Sequence, residues 1–69
     1  MGTVTHAQGY ELYLSDRSSS GYMGVKVDPY GMFIATYAGK YLGITRDASD
    51  AAVLYAKAKE AAEAEEEHR

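Results

Sequence analysis

The amino-acid sequence predicts an α+β fold, in which a three-stranded antiparallel sheet packs against one C-terminal helix. Three short runs of β-like residues lie between residues 22 and 44, and only short turns separate them. After residue 44 the spacing of the apolar residues changes from two to about 3.6, which is the period of a helix. The chain has 69 residues, so one sheet face and one helix stripe would form a single thin core.

The N-terminal third of the chain contains weaker signals. Residues 1–9 are small and polar, and they predict a flexible N-terminus. Residues 10–15 read YELYLS, which allows an extra short strand with Leu12 and Leu14 on one face. Residues 16–21 are rich in Asp, Ser and Gly, which predicts a loop.

The three main strands are predicted at residues 22–27, 32–37 and 40–44. Residues 28–31 read DPYG, with Asp, Pro and Gly at the positions that these residues favour in a β-turn. Residues 38–39 predict a tight hairpin, because glycine accepts a positive φ. Parallel strands need long crossover connections, so strands this close in sequence form an antiparallel meander.

A helix is predicted over residues 51–67, most of which are strong helix formers. Asp47 or Ser49 can cap its N-terminus. Helical spacing puts one apolar stripe against the sheet, and its members are Ala51, Leu54, Tyr55, Ala58 and Ala62. We expect a single domain at residues 10–62, followed by an acidic helix end or tail at residues 63–69.

The net charge of −3 is unevenly distributed along the chain. Residues 1–59 carry six basic and five acidic side chains, whereas the last ten residues carry five acidic side chains and one basic one. A nearly neutral body lacks the strongly basic surface that is typical of nucleic-acid binders. The total charge alone does not exclude nucleic acid, because the acidity is concentrated in the C-terminal segment.

The composition and motifs predict a protein that is not an enzyme and has no cofactor. The chain has no cysteine, so it forms neither disulfides nor thiolate metal sites. His6 and His68 lie near opposite ends and make no catalytic or metal-binding pair, so no catalytic residue and no metal are expected. No membrane span and no secretory signal are recognised, which favours an intracellular location.

Residues 21–62 contain three runs whose order along the chain is informative. Residues 21–35 read GYMGVKVDPYGMFIA, residues 41–43 read YLG, and residues 48–58 read ASDAAVLYAKA. In this order, the three runs resemble the Apetala-two / ethylene-response-factor (ERF) family, which shows a Tyr-Arg-Gly-Val-Arg opening, a Trp-Leu-Gly third strand and an alanine-rich helix with a tyrosine. The segment between the second and third strands is shorter here than in most plant members. The resemblance implies the same three strands and helix.

The resemblance also implies a mode of DNA binding. The ERF family lays the sheet face opposite the helix into the major groove, and its contacts are mostly Arg and Trp on the strands. Lys26 keeps the charge of a family arginine but not its bidentate fork, and Tyr30 and Tyr41 stand where the family has Trp. Thr36 replaces a family glutamate. At four positions where the family has Arg or Lys, this chain has Met23, Asp28, Met32 and Ala38.

The sheet face that points away from the helix is therefore predicted to be more apolar than an ordinary solvent-exposed surface. Its expected members are Met23, Lys26, Asp28, Tyr30, Met32, Ile34, Thr36 and Tyr41. An exposed apolar patch usually marks an interface. The alternative is that residues 10–15 or another flank of the chain fold back and cover this face.

Two functional hypotheses follow from these observations. The first is a DNA-binding domain of the ERF type with weak or altered specificity, located in the nucleus, whose partner is double-stranded DNA. Its contacts would come from Lys26, Tyr30, Lys40, Tyr41 and Arg46. The second is a non-enzymatic module for protein interaction or for self-association as a homodimer through the sheet face. Its contact surface would consist of Met23, Tyr30, Met32, Ile34 and Tyr41.

Overall fold

The computed structural model describes the backbone of residues 5–67 and the side chains of residues 5–65. The remaining residues of the predicted N-terminal segment and of the predicted acidic tail, including His68, lie outside this range. The elements in chain order are β1 (His6–Ala7), β2 (Tyr10–Glu11), β3 (Val25–Val27), β4 (Phe33–Tyr37), β5 (Lys40–Thr45) and α1 (Ala48–Glu67). The predicted fold class is confirmed, because β3, β4 and β5 form an antiparallel sheet in that order and a C-terminal helix follows. β1 and β2 form an additional two-stranded antiparallel sheet.

The register of the main sheet determines which side chains face the helix. Val25 lies opposite Ala35, and Ala35 lies opposite Gly43. Val25 and Ala35 are buried in the core, and a Leu54 methyl carbon would lie 3.1 Å from a Cβ built on Gly43. This row therefore faces the helix. Successive strand residues point to opposite faces, so the next row, Lys26, Ile34 and Ile44, points away from it.

β5 contains a β-bulge at Leu42. Ala35 pairs with Gly43, whereas the next residue of β4, Thr36, pairs with Tyr41, so Leu42 is an extra residue on β5. The Leu42 side chain packs against the core. A bulge changes the alternation of the strand that carries it. Tyr41 and Ile44, which flank the consecutive residues Leu42 and Gly43, therefore both point away from the helix.

The turn between β3 and β4 is held by one carboxylate. Asp28 Oδ1 accepts hydrogen bonds from the backbone N–H groups of Tyr30 (2.8 Å) and Met32 (2.9 Å). The Gly31 N–H donates to the Asp28 carbonyl oxygen (3.1 Å). This is the turn that the DPYG sequence predicts. β4 begins at Phe33, one residue later than predicted, where the network of turn hydrogen bonds ends.

β3 is shorter than the sequence pattern predicts, because it begins at Val25 and not at residue 22. Gly24 has a φ of +72°, which interrupts the extended backbone before β3. Tyr22 instead forms an isolated bridge with Leu14. The Gly24 carbonyl oxygen accepts a hydrogen bond of 2.7 Å from the N–H of Thr36, which attaches this turn to β4.

Two tight hairpins use a pair of residues with positive φ. The predicted one, between β4 and β5, has φ values of +52° at Ala38 and +80° at Gly39. The other, between β1 and β2, has +52° at Gln8 and +83° at Gly9. The sequence predicts no strand within residues 1–9, since strands of two residues are too short to show an alternating pattern. The hairpin is therefore a feature that only the structure reveals.

The helix begins at Ala48, three residues earlier than predicted, and Asp47 caps it. Asp47 Oδ1 accepts hydrogen bonds from the N–H (3.0 Å) and the hydroxyl (2.9 Å) of Ser49, so of the two predicted caps Asp47 acts as the N-cap. The buried part of the helix differs from the predicted stripe, because Leu54, Ala58 and Ala62 are only half-buried and residues outside the stripe are buried. The buried helix residues are Ala51, Ala52, Val53, Tyr55 and Ala56.

The N-terminal segment packs on the helix and not on the far side of the main sheet. Leu12 is 4% exposed and belongs to the same buried cluster as Val53. The Lys57 ammonium lies 5.9 Å from the centroid of the Tyr10 ring, within the range of a cation–π contact. The helix is thus covered by the sheet and also by the N-terminal segment. This second layer explains the additional buried helix residues.

Burial of Tyr22 is expected to make the domain sensitive to alkaline pH. Desolvation by burial, and then the charge of Asp47, raise the pKa of the Tyr22 hydroxyl above its usual value of 10.0. The corresponding stability is fully present below about pH 10 and is lost as the pH rises through the raised folded-state pKa. We expect Tyr22→Phe to reduce this loss when the free energy of urea unfolding is measured across the alkaline range. The exposed control Tyr30→Phe should keep the wild-type pH dependence, and an identical pH dependence for Tyr22→Phe would contradict the assignment.

Candidate interaction surface on the outer sheet face

The candidate site is the side of the main sheet that points away from the helix. We define the outer face as Lys26, Ile34, Thr36, Tyr41 and Ile44. Lys26, Ile34 and Ile44 lie side by side across the three strands, and Thr36 lies beside Tyr41. The inward row is fixed by packing against the helix, so the outward direction of these five residues follows from alternation along β3 and β4 and from the bulge in β5.

The outer face exposes large apolar side chains. Tyr41 is 63% exposed and Ile44 is 45% exposed. Ile34 lies directly opposite Ile44 and is half-buried. Neighbouring exposed apolar and aromatic side chains of this kind are typical of surfaces that bind a partner. The structure therefore retains the apolar character that the sequence predicts for this face.

Three of the eight predicted contact residues lie on the outer face itself, namely Lys26, Ile34 and Tyr41. The other five lie near the ends of the strands, and they are Met23, Tyr30, Met32, Lys40 and Arg46. Tyr30 is 90% exposed at the turn between β3 and β4. Met23 is also exposed, whereas Met32 is half-buried. The structure thus brings the predicted residues to one sheet and its margins, but does not place them all on one flat surface.

Ile44 is a member of the outer face that the strand pattern does not predict. Strict alternation from Tyr41 would place Ile44 on the helix side of the sheet. The bulge at Leu42 reverses this placement, and Ile44 pairs with Ile34 on the outer face. The one signal for it in the sequence is Gly43, because a glycine inside a strand often marks a bulge.

The cations near the sheet form no ion pair with a carboxylate among the described residues. In residues 5–65 the only ion pair joins Lys59 and Glu63 on the helix, at 3.1 Å. The carboxylates of Asp28 and Asp47 accept local hydrogen bonds in a turn and a helix cap. The exposed cations of the sheet, its margins and the preceding loop are Arg17, Lys26, Lys40 and Arg46.

The described residues contain no group of three or more His, Asp or Glu side chains that could hold a metal ion. His6 is exposed, and its Nδ1 lies 3.0 Å from the Thr5 hydroxyl oxygen. Within the part of the chain that the structure covers, no helix is both long and apolar enough to cross a membrane. Comparison of the chain with protein-family models, curated proteins and solved structures finds no match.

Proposed function

We propose that this chain is a DNA-binding domain of the ERF type, which places the outer face of its sheet in the major groove. The observation that carries the proposal is an uncovered antiparallel sheet face with cations on it and at its margins, none of them paired with a carboxylate in residues 5–65. The major groove of B-DNA is wide enough to admit a β-ribbon, and sheets are used in this way by known DNA readers.

The side chains of this surface divide into two kinds of DNA contact. Lys26, Lys40 and Arg46 would neutralise phosphates, which supplies most of the affinity of such complexes. Ile34 and Ile44 would make apolar contacts with base edges such as the thymine methyl group. The outer face itself has no arginine that could donate two hydrogen bonds to the edge of a guanine base. We therefore expect weak discrimination between DNA sequences.

The salt dependence of binding to random duplex DNA tests this proposal. Fluorescence anisotropy of wild type should show a log–log salt slope of about −0.9 for each phosphate neutralised. Lys26→Gln/Lys40→Gln should reduce the magnitude of the slope by about 1.8. The double variant Lys57→Gln/Lys59→Gln removes the same charge from the helix, and it should keep the wild-type slope. Absence of binding by the wild type at low salt would refute the proposal.

A protein-interaction function on the same surface is the second candidate, and the exposed Ile34–Ile44 pair with Tyr41 beside it favours this function. Sedimentation of the wild type and of Ile44→Lys separates the two candidates. A wild-type homodimer that Ile44→Lys converts to a monomer, together with no DNA binding, would favour self-association. A wild-type monomer that binds DNA with the expected salt slope would favour the DNA-binding domain.

A further inference from the structure

A second feature adjoins the outer face at the β3 edge of the sheet. It is an open cavity of about 450 Å³, lined by loop residues 17–19 and by Gly24, Val25, Lys26 and Thr36. Lys26 and Thr36 belong to the outer face, so the cavity is continuous with that surface. Arg17, which is distant in sequence from the strands, lines the same cavity as Lys26.

Hydrogen bonds attach the loop that carries Arg17 to β3. The Ser18 and Ser20 hydroxyls each donate to the carbonyl oxygen of Val25 at 2.8 Å. The Gly21 N–H donates to the Ser18 carbonyl oxygen at 3.1 Å. The two serine bonds use the Val25 carbonyl, on the edge strand β3, and the bond within the loop helps to hold the loop in shape at the margin of the sheet.

The chemistry of the cavity favours an oxyanion. Its lining contains two cations, Arg17 and Lys26, and no carboxylate. Neither cation has an ion-pair partner in residues 5–65. Ser19, whose side chain carries a hydroxyl donor, also lines the cavity. A guanidinium group matches the geometry of phosphate oxygens through two parallel hydrogen bonds, and an ammonium group adds a point charge.

We propose that this cavity is a phosphate-binding site, which we call the phosphate seat, in which Arg17 and Lys26 together hold one phosphate group. This inference rests on the proposed DNA-binding function in one respect, namely that the phosphate belongs to the DNA backbone. The strand edge is where a backbone phosphate would lie if the outer face entered the major groove. Arg17 thereby becomes a contact residue that the strand pattern alone does not reveal.

Two measurements test the phosphate seat. In the anisotropy experiment, Arg17→Gln should lower the magnitude of the salt slope by about 0.9, and its effect should be the same on unrelated DNA sequences. The affinity ratio of wild type to Arg17→Gln should therefore shrink about 3.5-fold between about 50 mM and about 200 mM salt. Lys57→Gln is the control for loss of one exposed helix charge. In parallel, inorganic phosphate should shift the amide NMR signals of Ser19, Gly24 and Lys26 in wild type and not in Arg17→Gln.

The outcomes separate this inference from the proposed function. A reduced slope for Arg17→Gln supports a seat for a backbone phosphate. Phosphate-induced NMR shifts without DNA binding would retain the seat as a site for a free phosphate group and refute the DNA-binding proposal. DNA binding that Arg17→Gln leaves unchanged would overturn the assignment to the DNA backbone. Absence of both DNA binding and phosphate-induced shifts would overturn the phosphate seat altogether.

Discussion

Gly24→Ala is expected to remove a large share of the free energy of unfolding of the domain. A Cβ at this position would lie 2.2 Å from Cδ2 of Tyr55 and 2.6 Å from the carbonyl oxygen of Thr36. The φ of +72° adds strain for any side chain other than that of glycine. We expect a loss of about 2 to 5 kcal/mol from strain and overpacking together. A chain of this length has a total stability of only about 3 to 10 kcal/mol.

The matched control is Gly31→Ala. Gly31 has a similar φ of +83°, but a Cβ there would have no heavy atom within 4 Å. This variant should lose only the conformational part, about 1 to 2 kcal/mol. Urea unfolding followed by far-UV circular dichroism measures both variants. Equal losses for Gly24→Ala and Gly31→Ala would show that close packing at Gly24 contributes nothing.

Tyr55→Ala is the second substitution for which we expect a large effect. Tyr55 is 9% exposed. Its ring makes edge-to-face contacts with Tyr13 and Tyr37, at centroid distances of 5.8 and 5.5 Å. Removing a buried aromatic side chain costs about 3 to 5 kcal/mol. Because the ring joins the N-terminal segment, the helix and β4, its loss should lower the unfolding midpoint without producing a separate transition for any one part.

Two controls define what the ring of Tyr55 contributes. Tyr55→Phe keeps the ring, and no hydrogen bond of the Tyr55 hydroxyl is found among the described residues, so we expect a change within about 0.5 kcal/mol. Tyr30→Ala removes a tyrosine that is 90% exposed and should be equally mild. Thermal and urea unfolding of the three variants are the measurements. A mild effect of Tyr55→Ala would mean that the three-ring cluster is not part of the stabilising core.

Local chemistry is strong enough to predict most of the main sheet and the helix. The DPYG turn, the Ala38–Gly39 hairpin and the Asp47 cap each depend on a few neighbouring residues, and all three are confirmed. The β1–β2 hairpin is different, because strands of two residues have no recognisable period. Its position depends on packing against the helix, and Leu12 and Tyr10 provide that packing.

The candidate surface was only partly predictable, because part of it depends on contacts between segments that are distant in sequence. Lys26, Ile34 and Tyr41 follow from alternation along the strands, and the structure places them on the outer face. Ile44 depends on a bulge that changes the alternation by one residue. Arg17 depends on side-chain hydrogen bonds between the serine loop and β3. Contacts between segments far apart in sequence leave no periodic signal, so neither residue could be assigned from the strand pattern.

The bulge at Leu42 also affects how well β5 could pair with the same strand of another copy. β5 is an edge strand, and its apolar residues Tyr41, Leu42 and Ile44 would make it a template for pairing with β5 of another copy. The extra residue bends the strand and increases its twist, so two copies could not align in a flat, continuous ladder. Lys40 at its start and Arg46 just beyond its end add repulsion between like charges. The irregularity that places Ile44 on the outer face thus also opposes the growth of fibrils.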